Sequence, residues 1–244
     1  YQKLLEKIRY YCKEAGGGEE KPDLFVCNYV YNHLEQQIMR SMGYGNVFPA
    51  EKICHWSETG HFLPSQYLVM HALVYRTEIL RQSGIVLPEH TFYVDNLFAY
   101  CPLPYVRNIF YMDIDLYQYY LGRDDQSVNE TVMISRIDQQ LRVTRRMVDF
   151  YTEQKISNQK CRMYMRNYLR IMMEVSSIFL ILSGTPENLA KKQELWNYVK
   201  AKDKEVYKML RYSMLGFSVN LPGKSGRWIS KTGYKVMNKW IGFN

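Results

Sequence analysis

Apolar side chains at Leu4, Leu5, Ile8, Tyr11 and Cys12 recur at helical spacing, so residues 1–14 read as a helix stopped by Gly16, Gly17 and Gly18. Asp23 then introduces LFVCNYVY, a continuous apolar run suited to a buried strand. From His33 to Pro64 the pattern is mixed, with Gly43, Gly45 and Pro49 marking turns. QYLVMHALVYR, residues 66–76, is strongly apolar around one histidine. TEILRQSG after it predicts a short helix capped by Thr77 and ended by Gly84. In the next run, HTFYVDNLFAY, Asp95 is the only charge among aromatic and aliphatic neighbours. A helix is expected to start near Asn96 and to be stopped by Pro102 and Pro104, after which IFYMDIDLYQYY reads as a strand or hairpin arm.

The second half changes period. After LGRDDQSVN, a polar loop opening at Gly122, three segments show helical periodicity: MISRIDQQLRVTRRMVDFY, CRMYMRNYLRIMMEVSSIFLILSG and TPENLAKKQELWNYVKAKDKEVYKMLRYSML. The third has a clear start, with Thr185 as N-cap and Pro186 in the first turn. The most apolar stretch, residues 171–182, is interrupted by Glu174, and at about 12 residues it falls short of the roughly 20 that a membrane span needs. It therefore predicts a buried bundle helix. The final segment sets Trp228, Ile229, Val236, Trp240 and Ile241 beside Lys224, Arg227, Lys231, Lys235 and Lys239. That mixture suits a helix lying on an anionic membrane surface, or equally a terminal helix docked on the bundle with its lysines in water.

Strands followed by a run of helices predict an α+β fold. A hydrophobic share of 47% with 23% charged residues excludes disorder over most of the 244 residues. The net charge of +8 is uneven: residues 153–244 carry 17 Lys and Arg against 6 Asp and Glu, whereas the preceding residues carry 15 against 18. A basic half can attract anionic lipid, a diphosphate or nucleic acid, or be a solvated helical surface. No nucleic-acid reading motif accompanies it, so nucleic acid is not an expected partner. The 22 tyrosines suit half-buried strands and sugar- or base-contacting surfaces alike. Five scattered cysteines without a CxxC pair suggest reduced thiols, and Cys54, His55, His61 and His71 fit no standard zinc spacing. The chain opens at Tyr1 directly in a helix, which suggests that further sequence lies upstream.

Two residues carry candidate chemistry. Burying Asp95 unpaired would cost several kcal/mol or force its protonation, so it is expected to face a polar opening, to be paired, or to cap the helix that follows. His71 is either a satisfied core histidine or a ligand contact. Asp113 and Asp115 in MDID superficially match an Asp-x-Asp metal motif, yet their alternation with Met112, Ile114 and Leu116 marks the solvent side of a strand.

The ordered set MHALVYRTEIL, LPEHTFYVDNLFAY and IFYMDIDLYQYYLGRDDQSVN resembles the C-terminal half of bacterial family 2 glycosyltransferases, inverting GT-A enzymes that use nucleotide-sugar donors. The helices and LPGKSGR that follow look like the extension of one bacterial subgroup. The resemblance implies a C-terminal remnant of a GT-A α/β layer over residues 1–121 and a mainly helical, basic extension over residues 122–244. It also implies that the nucleotide-binding strands and the metal-binding Asp-x-Asp pair lie upstream. A divalent metal, Mn or Mg, then serves the complete enzyme with ligands mostly outside this chain, and the piece alone is inactive. Val94-Asp95 stands where the family has an acidic Glu-Asp pair, so Asp95 alone inherits the role of general base toward an acceptor hydroxyl. Arg123, Gln126 and Ser127 match the polar loop near the donor diphosphate, where Arg123 either stabilises the leaving charge or pairs with Asp124 or Asp125. His71 would contact the acceptor. The implied partners are a nucleotide-sugar donor and a glycan or lipid-linked acceptor in cell-surface polysaccharide synthesis. The implied location is cytoplasmic, with peripheral contact to the inner membrane face through the basic tail. The alternative is a non-catalytic binding module whose tail docks on anionic membrane or a partner protein.

Overall fold

In a computed structural model, which describes residues 1–14, 20–33, 37–64, 66–121 and 130–241, the chain is α+β. The apolar runs become a five-stranded mixed sheet of β1 (Leu24–His33), β2 (Ile38–Met42), β3 (Ile53–Cys54), β4 (Leu73–Tyr75) and β5 (Ile109–Leu121). β1 is central: it pairs in parallel with β5 on one side, and antiparallel with β2 and β4 on the other. β3 extends the free side of β5. The first seven residues of β1 are buried, as a strand without polar alternation requires.

Asp23 fixes the entrance to this sheet. Its carboxylate accepts from Arg107 N at 2.7 Å and Asn108 N at 3.0 Å, and it pairs with Arg76 Nη2 at 2.8 Å. One buried charge thus ties together the start of β1, the approach to β5 and the exit of β4. Arg76 N also donates to Asp23 O, which holds Arg76 extended, so the helix α2 (Thr77–Ser83) has Arg76 at its N-cap. The sequence-based cap, Thr77, is instead the first helical residue, while Gly84 ends α2 in the left-handed conformation as expected.

On one sheet face Leu4, Phe25, Cys27, Phe110 and Met112 form a core, with Ile8 and Tyr11 packed against it. The expected first helix is α1 (Gln2–Arg9), widened to a π turn over Tyr10–Glu14. β5 is bulged: Cys27 faces Met112, but Asn28 faces Asp115 and Tyr29 faces Tyr117. Asp113 and Asp115 are exposed, as the alternation predicts.

The helical elements comprise α3 (Asp95–Tyr100), α4 (Glu130–Ser135), α5 (Ile137–Glu153), α6 (Gln159–Ser183), α7 (Pro186–Lys202), α8 (Lys204–Arg211), α9 (Met214–Ser218) and α10 (Gly223–Ile241). Thr185 caps α7 by accepting from Asn188 N at 3.2 Å. The third periodic segment forms three helices, α7, α8 and α9. Asp203 accepts from Glu205 N and Val206 N, and Ser213 from Gly216 N, so each starts a new helix. Short polar side chains that bond to their own backbone compete with helix continuation in this way. Among the described residues no helix is long and apolar enough to cross a membrane.

The chain divides into two compact units. One holds residues 1–87, 98–122 and 156–164, and includes the sheet; the other holds residues 88–97, 123–155 and 165–244. The helical unit is cored by Leu141, Met147, Met165, Leu169, Met173, Leu180, Leu195 and Val199. Several of its buried polar groups are paired: Gln140 and Thr144 bond to Ser176, and Trp196 Nε1 to Ser177.

Candidate active site around Asp95

Asp95 opens α3 and belongs, with residues 88–97, to the helical unit. The chain reaches it through Tyr93, whose φ of 68° is left-handed, an outlier for a bulky aromatic residue. Such a conformation costs about 1–3 kcal/mol and persists only where its surroundings over-determine it. The restraints are visible. Asn96 N and Nδ2 both donate to Tyr93 O, at 3.1 and 3.0 Å, and Leu97 N donates to Val94 O. On α5, Gln139 Oε1 accepts from Phe92 N at 2.6 Å and Arg142 Nη1 donates to Thr91 Oγ1 at 3.3 Å. The Arg136 guanidinium lies 3.6 Å from the Phe92 ring centroid. On α6, Tyr168 donates to Asn96 Oδ1 at 3.0 Å. Two long helices therefore clamp both sides of Asp95.

Burial pushes the Asp95 carboxyl above its ordinary value, while the N–H groups of Asn96 and of Asp95 itself oppose the rise. Asn96 Nδ2 adds a long hydrogen bond to Oδ1 at 3.3 Å. The capping and functional readings thus meet in one side chain: it receives helix N–H groups and remains a carboxylate whose charged form is disfavoured. A group so placed is a better proton acceptor than a solvated aspartate.

His71 lies in the other unit. Its ring stacks on Tyr117 at 5.1 Å, leans on Tyr119 at 5.2 Å and meets the edge of Tyr29 at 4.9 Å. Burial lowers its pKa to about 4, and Nε2 is buried without a hydrogen-bond partner among the described residues. The imidazole is a neutral member of a tyrosine cluster, with one nitrogen left over. Because its folded pKa lies below the unfolded value of about 6.5, its contribution to stability is full above that value and is lost as pH falls toward about 4. We expect a loss on the order of 2 kcal/mol across that window, abolished in His71→Phe; unfolding midpoints that fall equally in both proteins would refute this.

Arg123, Gln126 and Ser127 lie outside the described residues. Asp113 Oδ1 is held by Asn28 Nδ2 at 2.7 Å and Tyr111 OH at 3.2 Å, and Asp115 Oδ1 by Ser41 Oγ at 2.6 Å. Among the described residues no three His, Cys, Asp or Glu side chains gather into a metal site, and Cys12, Cys27, Cys54, Cys101 and Cys161 are free thiols. Among the described residues the metal implied by the resemblance finds no ligand set.

Sequence reasoning missed Arg136, Gln139, Arg142 and Tyr168. Gln139, Arg142 and Tyr168 lie on otherwise ordinary amphipathic helices and Arg136 at the N-cap of α5, which does not reveal the segment they hold. Compared with protein-family models, with curated proteins and with solved structures, the chain matches none.

Proposed function

We propose that this chain is the acceptor-side part of an inverting glycosyltransferase, with Asp95 as its general base. The observation that carries the reading is a carboxylate pushed upward by burial and displayed behind a left-handed Tyr93, both fixed by α5 and α6. An inverting transfer needs one such group. It removes the acceptor hydroxyl proton as the oxygen attacks the anomeric carbon, while the nucleotide diphosphate departs from the opposite face. Clamping matters because a displaced base loses its in-line geometry. In this reading residues 1–121 are the acceptor side of a GT-A domain and residues 122–244 a basic helical extension that also positions the base. Arg123, Gln126 and Ser127 serve the donor diphosphate, His71 lines the acceptor side, and the location is cytoplasmic, where nucleotide sugars are supplied.

The test is a donor screen on the protein produced from its full reading frame, with product configuration read by NMR. Transfer from one nucleotide sugar with inversion at the anomeric carbon is expected. Retention of configuration, or no transfer from any donor, contradicts the reading.

A further inference from the structure

A group of cations without a counter-ion among the described residues sits on α7, α8 and α10. Lys192 Nζ donates to Asn220 Oδ1 at 2.7 Å, and Arg211 Nη2 donates to the carbonyl of the same Asn220 at 3.2 Å. Desolvation, with the charges of Arg211 and Arg227, pulls the Lys192 amine down to about 8. Arg211 Nη1 is buried and has no hydrogen-bond partner among the described residues. The ion pairs described in this unit lie elsewhere: Glu174 with Arg170, Asp138 and Glu187 with Lys191, Asp149 and Glu153 with Lys202, and Glu205 with Lys208. No described ion pair reaches Lys192, Arg211 or Arg227. Lys192 and Arg211 meet at Asn220, and with the charge of Arg227 acting on Lys192 the like charges disfavour one another until an anion with several acceptor oxygens joins them.

The surroundings indicate which anion. Arg211 is followed by Tyr212 and Arg227 by Trp228, and α9 adds Met214 and Phe217; each of these four apolar side chains is more than half exposed. Ser230 Oγ donates to Ser218 O at 2.8 Å, which holds α9 to α10. A soluble phosphate needs no apolar flank, whereas a headgroup at a bilayer surface offers phosphate and hydrocarbon side by side. We propose that Lys192, Arg211 and Arg227 hold the phosphate of an anionic lipid headgroup, while Tyr212, Met214, Phe217 and Trp228 enter the interface beside it. This site is independent of the role given to Asp95.

The experiment is co-sedimentation of the 244-residue chain with phosphatidylglycerol or phosphatidylcholine vesicles, with inorganic phosphate as a separate arm. Binding to phosphatidylglycerol alone is expected. Lys192→Gln, Arg211→Gln and Arg227→Gln should each weaken it about five-fold, or about 1 kcal/mol, and Trp228→Ser should weaken it with the charge unchanged. Arg227 makes no described hydrogen bond, so Arg227→Gln tests the site even if Arg211→Gln impairs folding. Lys204→Gln, an exposed cation at the far end of α8, should have a smaller effect. The proposal is overturned if phosphatidylglycerol vesicles are not bound, if Lys204→Gln weakens binding as much as the three site variants, or if inorganic phosphate binds while vesicles do not.

Discussion

Arg170→Ala is expected to lower stability by about 3 kcal/mol at pH 7. Glu174 is 9% exposed on α6, and Arg170 one turn earlier donates to both of its carboxylate oxygens at 2.9 Å. Ser213 adds a weak contact at 3.5 Å. Even with this partner, burial holds the Glu174 carboxyl above its usual value, so its charged form is already disfavoured in the fold. Removing the guanidinium leaves an unpaired carboxylate in the bundle. A raised folded value means that the group's contribution is full below the unfolded value near 4.5 and is lost as pH rises through the folded one. The Arg170→Ala deficit should therefore shrink toward pH 4.5, and Arg170→Ala with Glu174→Gln should recover most of it. Urea unfolding at both pH values checks this; a deficit under about 0.5 kcal/mol at pH 7 would mark the pair as a solvent-screened surface contact.

Asp95→Asn is expected to reduce sugar transfer by about 10²–10⁴-fold, the usual contribution of a positioned general base. The same substitution should stabilise the protein by about 0.5–2 kcal/mol at pH 7, as relief of a functional strain often does. Burial raises Asp95 in the fold, so its ionised form works against folding; the gain should fade as pH drops and the native carboxyl becomes protonated. The amide keeps one oxygen to accept the helix N–H groups, so capping is largely retained. Loss of activity together with a gain in midpoint temperature marks a base; a purely structural cap, which the amide preserves, would leave the activity unchanged.

Much of the fold is legible because hydrophobic periodicity is local. LFVCNYVY, the Gly84 stop and the Thr185–Pro186 start all appear where their residues place them. What escapes is set by partners distant in sequence. Thr77 looks like a cap until Arg76 is seen tethered to Asp23. The bulges of β5 follow from its register against β1, which IFYMDIDLYQYY does not encode by itself. Asp203 and Ser213 were readable as caps in principle, but the strong periodicity of the segment masks them. At the site, Asp95 stands out as a charge among aromatics, whereas its supports Gln139, Arg142 and Tyr168 lie 47, 51 and 72 residues from the atoms they hold. Lys192, Arg211 and Arg227 likewise look like ordinary helical surface charges until three helices bring them together.

The pH dependence of kcat/KM tests the central claim most directly. With the protein from its full reading frame, the rate should rise with pH through a single ionisation above the ordinary aspartate value, and Asp95→Asn should remove that limb along with most of the rate. An Asp95→Asn protein that keeps both the rate and the limb would contradict the account.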